Sequence, residues 1–562
     1  RSTQAKTLFP YTTLFRSLMR VVDPRLTLPF AKRVDRITVA ATLNAAGLGH
    51  VNPRSPGNET LHERVLLQLS KGGCGGGSCE RAVDAAYVGS WAQTCEGVKS
   101  LNNKLQLTPN LPCMQALQAA LNRVKAALPT EFEHSSDRTA AEEIKALTLA
   151  DLTEKTRPGL QAKISNLLAL QTQASIITRL SVPGKEADLR AFRSGAGLKA
   201  GSWLNAGDTR FETQMPDADF TIAFAMRLNL EPFTDVNPDY MCQLCGERMV
   251  NSCTHATLCK KLGSSGRTER HDELKHAFAR AAREYNVDAR VRVEPSAVTH
   301  CRFIAKDYSK DGRRRADVLI TDPDGARTYD FVVSNAAASS APAGALLKAG
   351  TTADRSVKQK NRKYQRKFNG VRPGENFFAC AAESHGALDK LFFYALRDLV
   401  ETKVGTGTDI PKSILASRLY ERIGVALQKG NAQGILAFRY AEMDQPEDME
   451  AAKRDAVMDK LTTKTILSLA TCDADLKALA EEHPGADNAE VALAALAGAE
   501  PEVQAAVGRA DDLPLEPLLA DDIFAEVFGN DSDTVLRNVL QASGAVSPAM
   551  GDAQRADADE LN

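Results

Sequence analysis

The segment ADVLITDPDGARTYDFVV, Ala316 to Val333, fixes more of its own structure than any other part of the 562-residue chain. Asp322-Pro323-Asp324-Gly325 carries the residues that a type I turn favours, and the flanks are rich in the β-branched and aromatic residues of strands. A hairpin centred between Pro323 and Asp324 pairs positions whose numbers sum to 647, so Asp317 falls opposite Asp330. Both carboxylates are then expected on one side of a sheet, with Cβ atoms roughly 5 Å apart. Two facing carboxylates with no evident basic partner repel unless something compensates. A divalent cation that prefers oxygen, magnesium or manganese, does so. Such an ion can hold a phosphate and activate water for phosphodiester hydrolysis. The alternative is a solvated sheet face on which one Asp merely ends a strand. Asp322 and Asp324 are assigned to the turn only.

Helical segments flank the hairpin. In RTERHDELKHAFARAAREY, Leu274, Phe278, Ala281 and Tyr285 recur at helical spacing, and ARVRVEP follows as a short strand with Val291 and Val293 on one side. Downstream, DRSVKQKNRKYQRKFNG places seven basic residues within thirteen: Arg355, Lys358, Lys360, Arg362, Lys363, Arg366 and Lys367. Val357, Tyr364 and Phe368 form an apolar stripe, and Asn369-Gly370 supplies a stop. The stripe docks this helix and turns a basic face outward, which fits either a phosphate track or an ordinary solvated surface.

Upstream lies MCQLCGERMVNSCTHATLC. Cys242 and Cys245 have the C-x2-C spacing of a tight knuckle, and His255 and Cys259 stand four apart, on one side of a helical turn. Thiolates and an imidazole favour zinc over magnesium or calcium. Four protein ligands leave no open position, so the expected site is structural. Cys253 is a spare that could replace one ligand. The alternative is a set of ordinary buried cysteines.

The 11 cysteines are odd in number and scattered, which points to an intracellular chain with one metal site rather than a disulfide framework. No run approaches the ~18 apolar residues of a membrane span. The net charge of −1 hides an asymmetry: residues 442–562 hold 27 acidic and 8 basic residues, a net of −19, leaving about +18 on the rest. A basic body with an acidic tail fits a polyanion-binding part and a solvating or self-shielding part. The chain divides into residues 1–17; a mostly helical 18–125; a helical connector, 126–235; the Cys/His element, 236–262; an α/β region, 263–400; a helical extension, 401–441; and an acidic, Ala-rich tail, 442–562, partly disordered. KGGCGGGSCERA interrupts the first helical region. It lacks the Gly-Lys-Ser/Thr of a phosphate loop and reads as a flexible turn into a helix whose Ala85, Val88, Trp91 and Ala92 share a face.

The order of parts resembles the restriction-like endonuclease end of non-LTR retrotransposon polyproteins. Those proteins nick target DNA with a PD-(D/E)xK type nuclease, and a reverse transcriptase then primes on the nick. Arg270-His271 matches the family's Arg/Lys-His-Asn motif, with Asp272 where Asn is usual. Ala316-Asp317 and Asp330, with twelve residues between the aspartates and Ala in place of Pro, match its Pro-Asp and Asp, and Lys363-Tyr364 matches its Lys-Tyr. The stretch GGCGGGS to AAYVGSWA is similar to the region that follows the polymerase. The resemblance spans roughly residues 50–441, and its specific motifs run from 242 to 364. Three departures stand out: the Cys/His spacing differs by about a residue, Val332 stands where a D-x-K lysine is usual, and the polymerase is missing.

The resemblance implies a mixed, α-rich fold: helical N-terminal region, zinc element, small restriction-like nuclease core and helical acidic tail. It implies a metal-dependent endonuclease in which Asp317 and Asp330 hold Mg2+ or Mn2+ and Lys363, from the later helix, orients water or stabilises the developing charge. His271 is expected to contact DNA or support the site. Arg270, Lys358, Lys360, Arg362, Arg366 and Lys367 are expected to hold the backbone of target DNA. Element RNA is the other expected partner, with a nuclear location, no membrane and no small-molecule substrate. The alternative is a zinc-containing nucleic-acid-binding protein whose nuclease has decayed. Finally, TLFPYTTLFRS, Thr7 to Ser17, resembles the conceptual translation of a sequencing-library adapter. Residues 1–17 are therefore expected to be extended and unpacked, and the protein itself to begin mid-domain near Leu18.

Overall fold

The computed structural model describes residues 18–442, apart from 56–57, 102–107, 207–212, 234–240, 243–244, 248–251, 260–264, 324 and 406. The adapter-like segment, the acidic tail beyond 442 and turn residue Asp324 lie outside the described residues. No described helix is long and apolar enough to cross a membrane.

The first part of the chain is helical: α1 (Pro24–Ala45), α2 (Leu61–Leu66), α3 (Cys79–Leu101), α4 (Pro112–Ala126), α5 (Ser135–Ala146), α6 (Leu149–Glu154), α7 (Leu160–Leu180), α8 (Glu186–Gly195) and α9 (Asp217–Leu228). Breaks fall at Pro158-Gly159 and Pro183-Gly184, where proline cannot continue a helix. Ala85, Val88 and Ala92 of α3 are buried among Leu117, Leu121 and Ile164, with Trp91 packed alongside. The glycine-rich stretch before α3 is pinned rather than flexible. Amides of Gly73, Cys74, Gly75, Gly76 and Gly77 bond carbonyls of residues 64–68. Arg227 donates to the Gly73 carbonyl from Nε (3.0 Å) and Nη2 (2.6 Å). A Cβ on Gly73 would lie 2.1 Å from the Leu67 carbonyl oxygen, so only glycine lets the chain fold back this closely.

The second part comprises α10 (Ser252–Leu258), α11 (Ser265–Tyr285), β1 (Arg290–Val293), β2 (Ile304–Ala305), α12 (Tyr308–Asp311), β3 (Val318–Asp322), β4 (Gly325–Ser334), α13 (Thr351–Lys367), β5 (Phe368–Asn369), β6 (Phe377–Glu383), α14 (Lys390–Gly405) and α15 (Lys412–Glu442). A four-stranded mixed sheet runs β1-β3-β4-β6, while β2 and β5 form a separate pair. The hairpin has the expected register, from Val318 opposite Tyr329 to Asp322 opposite Gly325. Strand β6 pairs parallel to β4, which requires a crossover, and α13 lies on it. Asp322 does more than turn the chain: its carboxylate accepts from Asn286 (3.2 Å) and pairs with Arg327.

Strand alternation sorts the side chains into two layers. Val318, Ile320, Tyr329 and Phe331 pack against α11, α14 and α15, with the Phe278 ring 4.9 Å from Tyr329 and 5.1 Å from Phe331. Leu319, Phe377, Ala379 and Ala381 face Val357 and Tyr364 of α13. Helix α15, expected in a separate extension, shares the first layer through Leu415, Leu419 and Ile423. Gly430 permits this close approach, because a Cβ there would sit 2.8 Å from the Arg270 Cα.

Buried carboxylates hold the helix starts. Glu383, at the end of β6, accepts from the amides of Gly350, Thr352 and Ala353 at the start of α13. Asp389 does the same for Leu391 and Phe392 of α14. Such groups meet amides that no helical carbonyl can reach.

Between them lies His385, buried where the core meets the helical region. Burial first, then the charges of Arg64, Arg227 and Arg270, lower its pKa from 6.5 to about 3. Between those values the folded protein binds fewer protons than the unfolded chain. The stability contribution is therefore complete above about pH 6.5 and lost as pH falls toward 3, at up to about 1.4 kcal/mol per pH unit. Urea denaturation of wild type and His385→Gln between pH 7 and 4 is expected to show a steeper acid loss for wild type. Parallel curves would contradict this account.

Candidate functional site

Two constellations stand out. In the first, Cys242 and Cys245 sit on a tight turn in which the Gly246 amide bonds the Cys242 carbonyl (2.8 Å) and the Cys242 amide bonds Glu247 (2.9 Å). His255 comes from α10, and Cys259 follows its end, its amide bonded to the His255 carbonyl (2.7 Å). The four ligand atoms lie within 4.8 Å of one another, and Cys245 Sγ is 3.4 Å from His255 Nε2. A tetrahedral ion with bonds of about 2.3 Å spans ligand pairs of about 3.7 Å, so the set fits a metal such as zinc. Cys253 is not one of the four; it packs with Ile222, Met226 and Phe438. The element is wedged between α9 and α15, and the His255 ring lies 5.6 Å from Phe438.

The second constellation is built on the hairpin. Asp317 directly precedes β3. Its carbonyl accepts from the Glu294 amide (2.8 Å), and its Oδ2 accepts from the Phe331 amide (2.6 Å), which places its carboxylate against the peptide that follows Asp330. Asp330 is 4% exposed on the α13 side of β4. Tyr364 donates its hydroxyl to Asp330 Oδ1 (2.9 Å), and Lys360 forms an ion pair with Oδ2. His271 Nε2 lies 2.9 Å from Asp317 Oδ2, and its Nδ1 lies 3.1 Å from Asp272 Oδ1.

The basic partners absent from the sequence reading are thus present, and they divide the pair electrostatically. Burial raises the pKa of Asp330; Lys360 opposes this, and the neighbouring Asp317 adds to it, leaving Asp330 above the usual carboxylate range. Burial also acts to raise Asp317, but His271, Lys360 and the Phe331 amide outweigh it and leave it lowered. Burial disfavours the His271 cation, yet its bonds to Asp317 and Asp272 raise its pKa above the ordinary value. With a carboxylate at each ring nitrogen, both nitrogens can donate when the ring is charged.

The lysine at the carboxylates is Lys360, not Lys363. Lys360 lies one turn before Tyr364 and three residues after Val357, on the buried stripe of α13. Lys363 is rotated about 100° from Tyr364 and is exposed. Of the remaining basic residues, Lys358, Arg362 and Arg366 are exposed, whereas Lys367 turns back to bond Asp311 (2.7 Å). Arg270 is 6% exposed and does not belong to an open basic surface. Several members went unforeseen. Lys275, 2% exposed, bridges Asp272 and Glu294 at 2.8 Å each. Its helical spacing from His271 was readable, but its contact with Glu294, 19 residues on and just past β1, was not.

No family model matches the chain, and no curated protein matches it.

The protein is expected to copurify with about one equivalent of a thiophilic metal, as a four-ligand site requires. Cys259→Ser is expected to lose the metal and lower the thermal midpoint by several degrees, because α9 and α15 pack on the element. Elemental analysis and calorimetry check both; full metal removal with an unchanged midpoint would contradict them.

Proposed function

We propose that residues 242–442 form the metal-dependent DNA endonuclease part of a retrotransposon polyprotein, nicking target DNA to prime reverse transcription. The observation that carries this reading is the convergence on Asp330 of a second carboxylate, a lysine and a tyrosine, all buried or half-buried. Helical order, a small mixed sheet and a Cys3His element agree with it. In this reading the Cys3His element takes structural zinc, and DNA and element RNA are the partners, in the nucleus.

Asp317 and Asp330 would hold a magnesium or manganese ion, which supplies phosphate positioning and activation of water. Tyr364 fixes Oδ1 of Asp330 and leaves Oδ2 to its ion pair with Lys360. Lys360, beside Asp330, would be the group placed to orient water or stabilise negative charge developing on the phosphate. His271 orients Asp317 from the opposite side. The exposed Lys358, Arg362 and Arg366 line up along α13 for neighbouring phosphates.

A second reading is a zinc-containing nucleic-acid-binding protein without catalysis. The self-neutralised pairs Lys360–Asp330 and His271–Asp317 favour it, since they let the carboxylates stay buried with no ion.

Nicking of supercoiled DNA with magnesium separates the two. Wild type is expected to nick. Asp317→Ala and Asp330→Ala are expected to abolish the activity, Lys360→Ala to lower it about 100-fold or more, and Lys363→Ala to stay near wild type. Wild-type nicking no faster than the aspartate variants would remove the catalytic reading and leave the binding one.

A further inference from the structure

Beside the carboxylates lies a cleft of about 390 Å³ that the mechanism above does not use. Its walls come from four elements. Thr257 belongs to the metal-bearing helix α10, Arg270 to α11, Asn335 follows the end of β4, and Thr352, Arg355 and Gln359 run along α13. Among the described residues the lining contains hydroxyls, amides and two guanidinium groups, and no carboxylate. Glu383, at the end of β6, is already engaged by the amides of Gly350, Thr352 and Ala353, and Asp354, the acidic residue of α13's first turn, is exposed and outside the lining. The chemistry of the cleft is that of a phosphate acceptor: donors and positive charge in a concave, half-desolvated wall.

Two features single it out. Thr352 is 8% exposed, and its hydroxyl oxygen is buried without a hydrogen-bond partner, an arrangement that costs stability unless something else uses the group. The cleft also continues the candidate active site. Arg270 neighbours His271, Gln359 neighbours Lys360, and the lining residue Val333 follows Asp330 by three residues, roughly 10 Å along β4. The cleft opens at the carboxyl end of the parallel pair β4–β6, where ligands of such sheets gather.

We infer that this cleft is a phosphate subsite for the nucleic-acid strand, seating a backbone phosphate next to the one held at Asp317 and Asp330; the inference rests on the endonuclease reading for the identity of the strand. The metal-bearing helix shapes the subsite. Asn335 Nδ2 donates to Thr257 Oγ1 at 2.6 Å, tying the end of β4 to the turn between His255 and Cys259.

The test is binding, not cleavage: anisotropy of a fluorescent duplex on the full chain without added magnesium, from 50 to 200 mM salt. Thr352→Val removes no charge and no partner within the protein, so its thermal midpoint should hold or rise. Its Kd should nevertheless increase about threefold to tenfold, the loss of one neutral hydrogen bond. Arg355→Ala should weaken binding and reduce the salt slope by about one, the loss of one phosphate contact. Unchanged affinity in both variants overturns the subsite. Loss in Arg355→Ala alone also overturns it, since the arginine then acts as a general surface charge. If a deoxynucleoside monophosphate binds wild type as tightly as the duplex does, the cleft is a nucleotide pocket and the strand reading falls. Failure of wild type to nick, with the binding losses intact, removes the endonuclease and leaves the subsite.

Discussion

A carboxylate on an interior strand cannot stay charged without partners, and the neutralisation of Asp330 organises the half of the molecule that follows the metal-capable cluster. Asp330 lies on β4 between two layers of apolar side chains, where water is not available to solvate it. Tyr364 and Lys360 reach it from one helix, and that helix is held in place by its own stripe and by Glu383 at its start. Asp317 arrives from the hairpin and brings its own partner, His271, from the helix on the other side of the sheet. Helices α13 and α11, on opposite sides of the sheet, therefore each carry one basic side chain to one aspartate. Removing either partner would leave an uncompensated charge in a dry place, which is costlier than never having built the pair.

The Cys3His element braces this arrangement from outside. It joins α9, from the helical first part, to α15, whose other end packs on α11 and the sheet. Its helix α10 also meets the end of β4 through Thr257 and Asn335. A metal held there acts on the hairpin through packing rather than through any bond to the carboxylates. His385 and the three buried arginines around it join the helical region to the same core from another direction.

What was legible in the sequence was local. The hairpin register follows from one turn and one alternation, and every pair from Val318–Tyr329 to Asp322–Gly325 obeys it. The Cys/His spacing brings four ligand atoms together because a knuckle and one helical turn are both short-range devices. The apolar stripe of α13 was also readable, and it contained the answer to the lysine question. Lys360 shares the phase of Val357 and Tyr364, whereas the motif match pointed to Lys363, on the wrong side of the helix. Contacts between distant segments were not legible. His271 meets Asp317 across 46 residues, and Arg270 is buried because α15 crosses it at Gly430. The glycine-rich stretch looked slack because its tether, Arg227, lies 154 residues away.

The central claim is that the Asp317–Asp330 pair is a divalent-cation site and not merely a self-neutralised ion-pair cluster. Manganese binding to the zinc-loaded protein, followed by electron paramagnetic resonance, addresses it without requiring any substrate. The account predicts saturable binding of about one Mn2+ per chain. That binding should be lost in Asp330→Asn and strengthened in Lys360→Met, where the competing ammonium is gone. Manganese that fails to bind wild type, or that binds Asp330→Asn equally well, would contradict it.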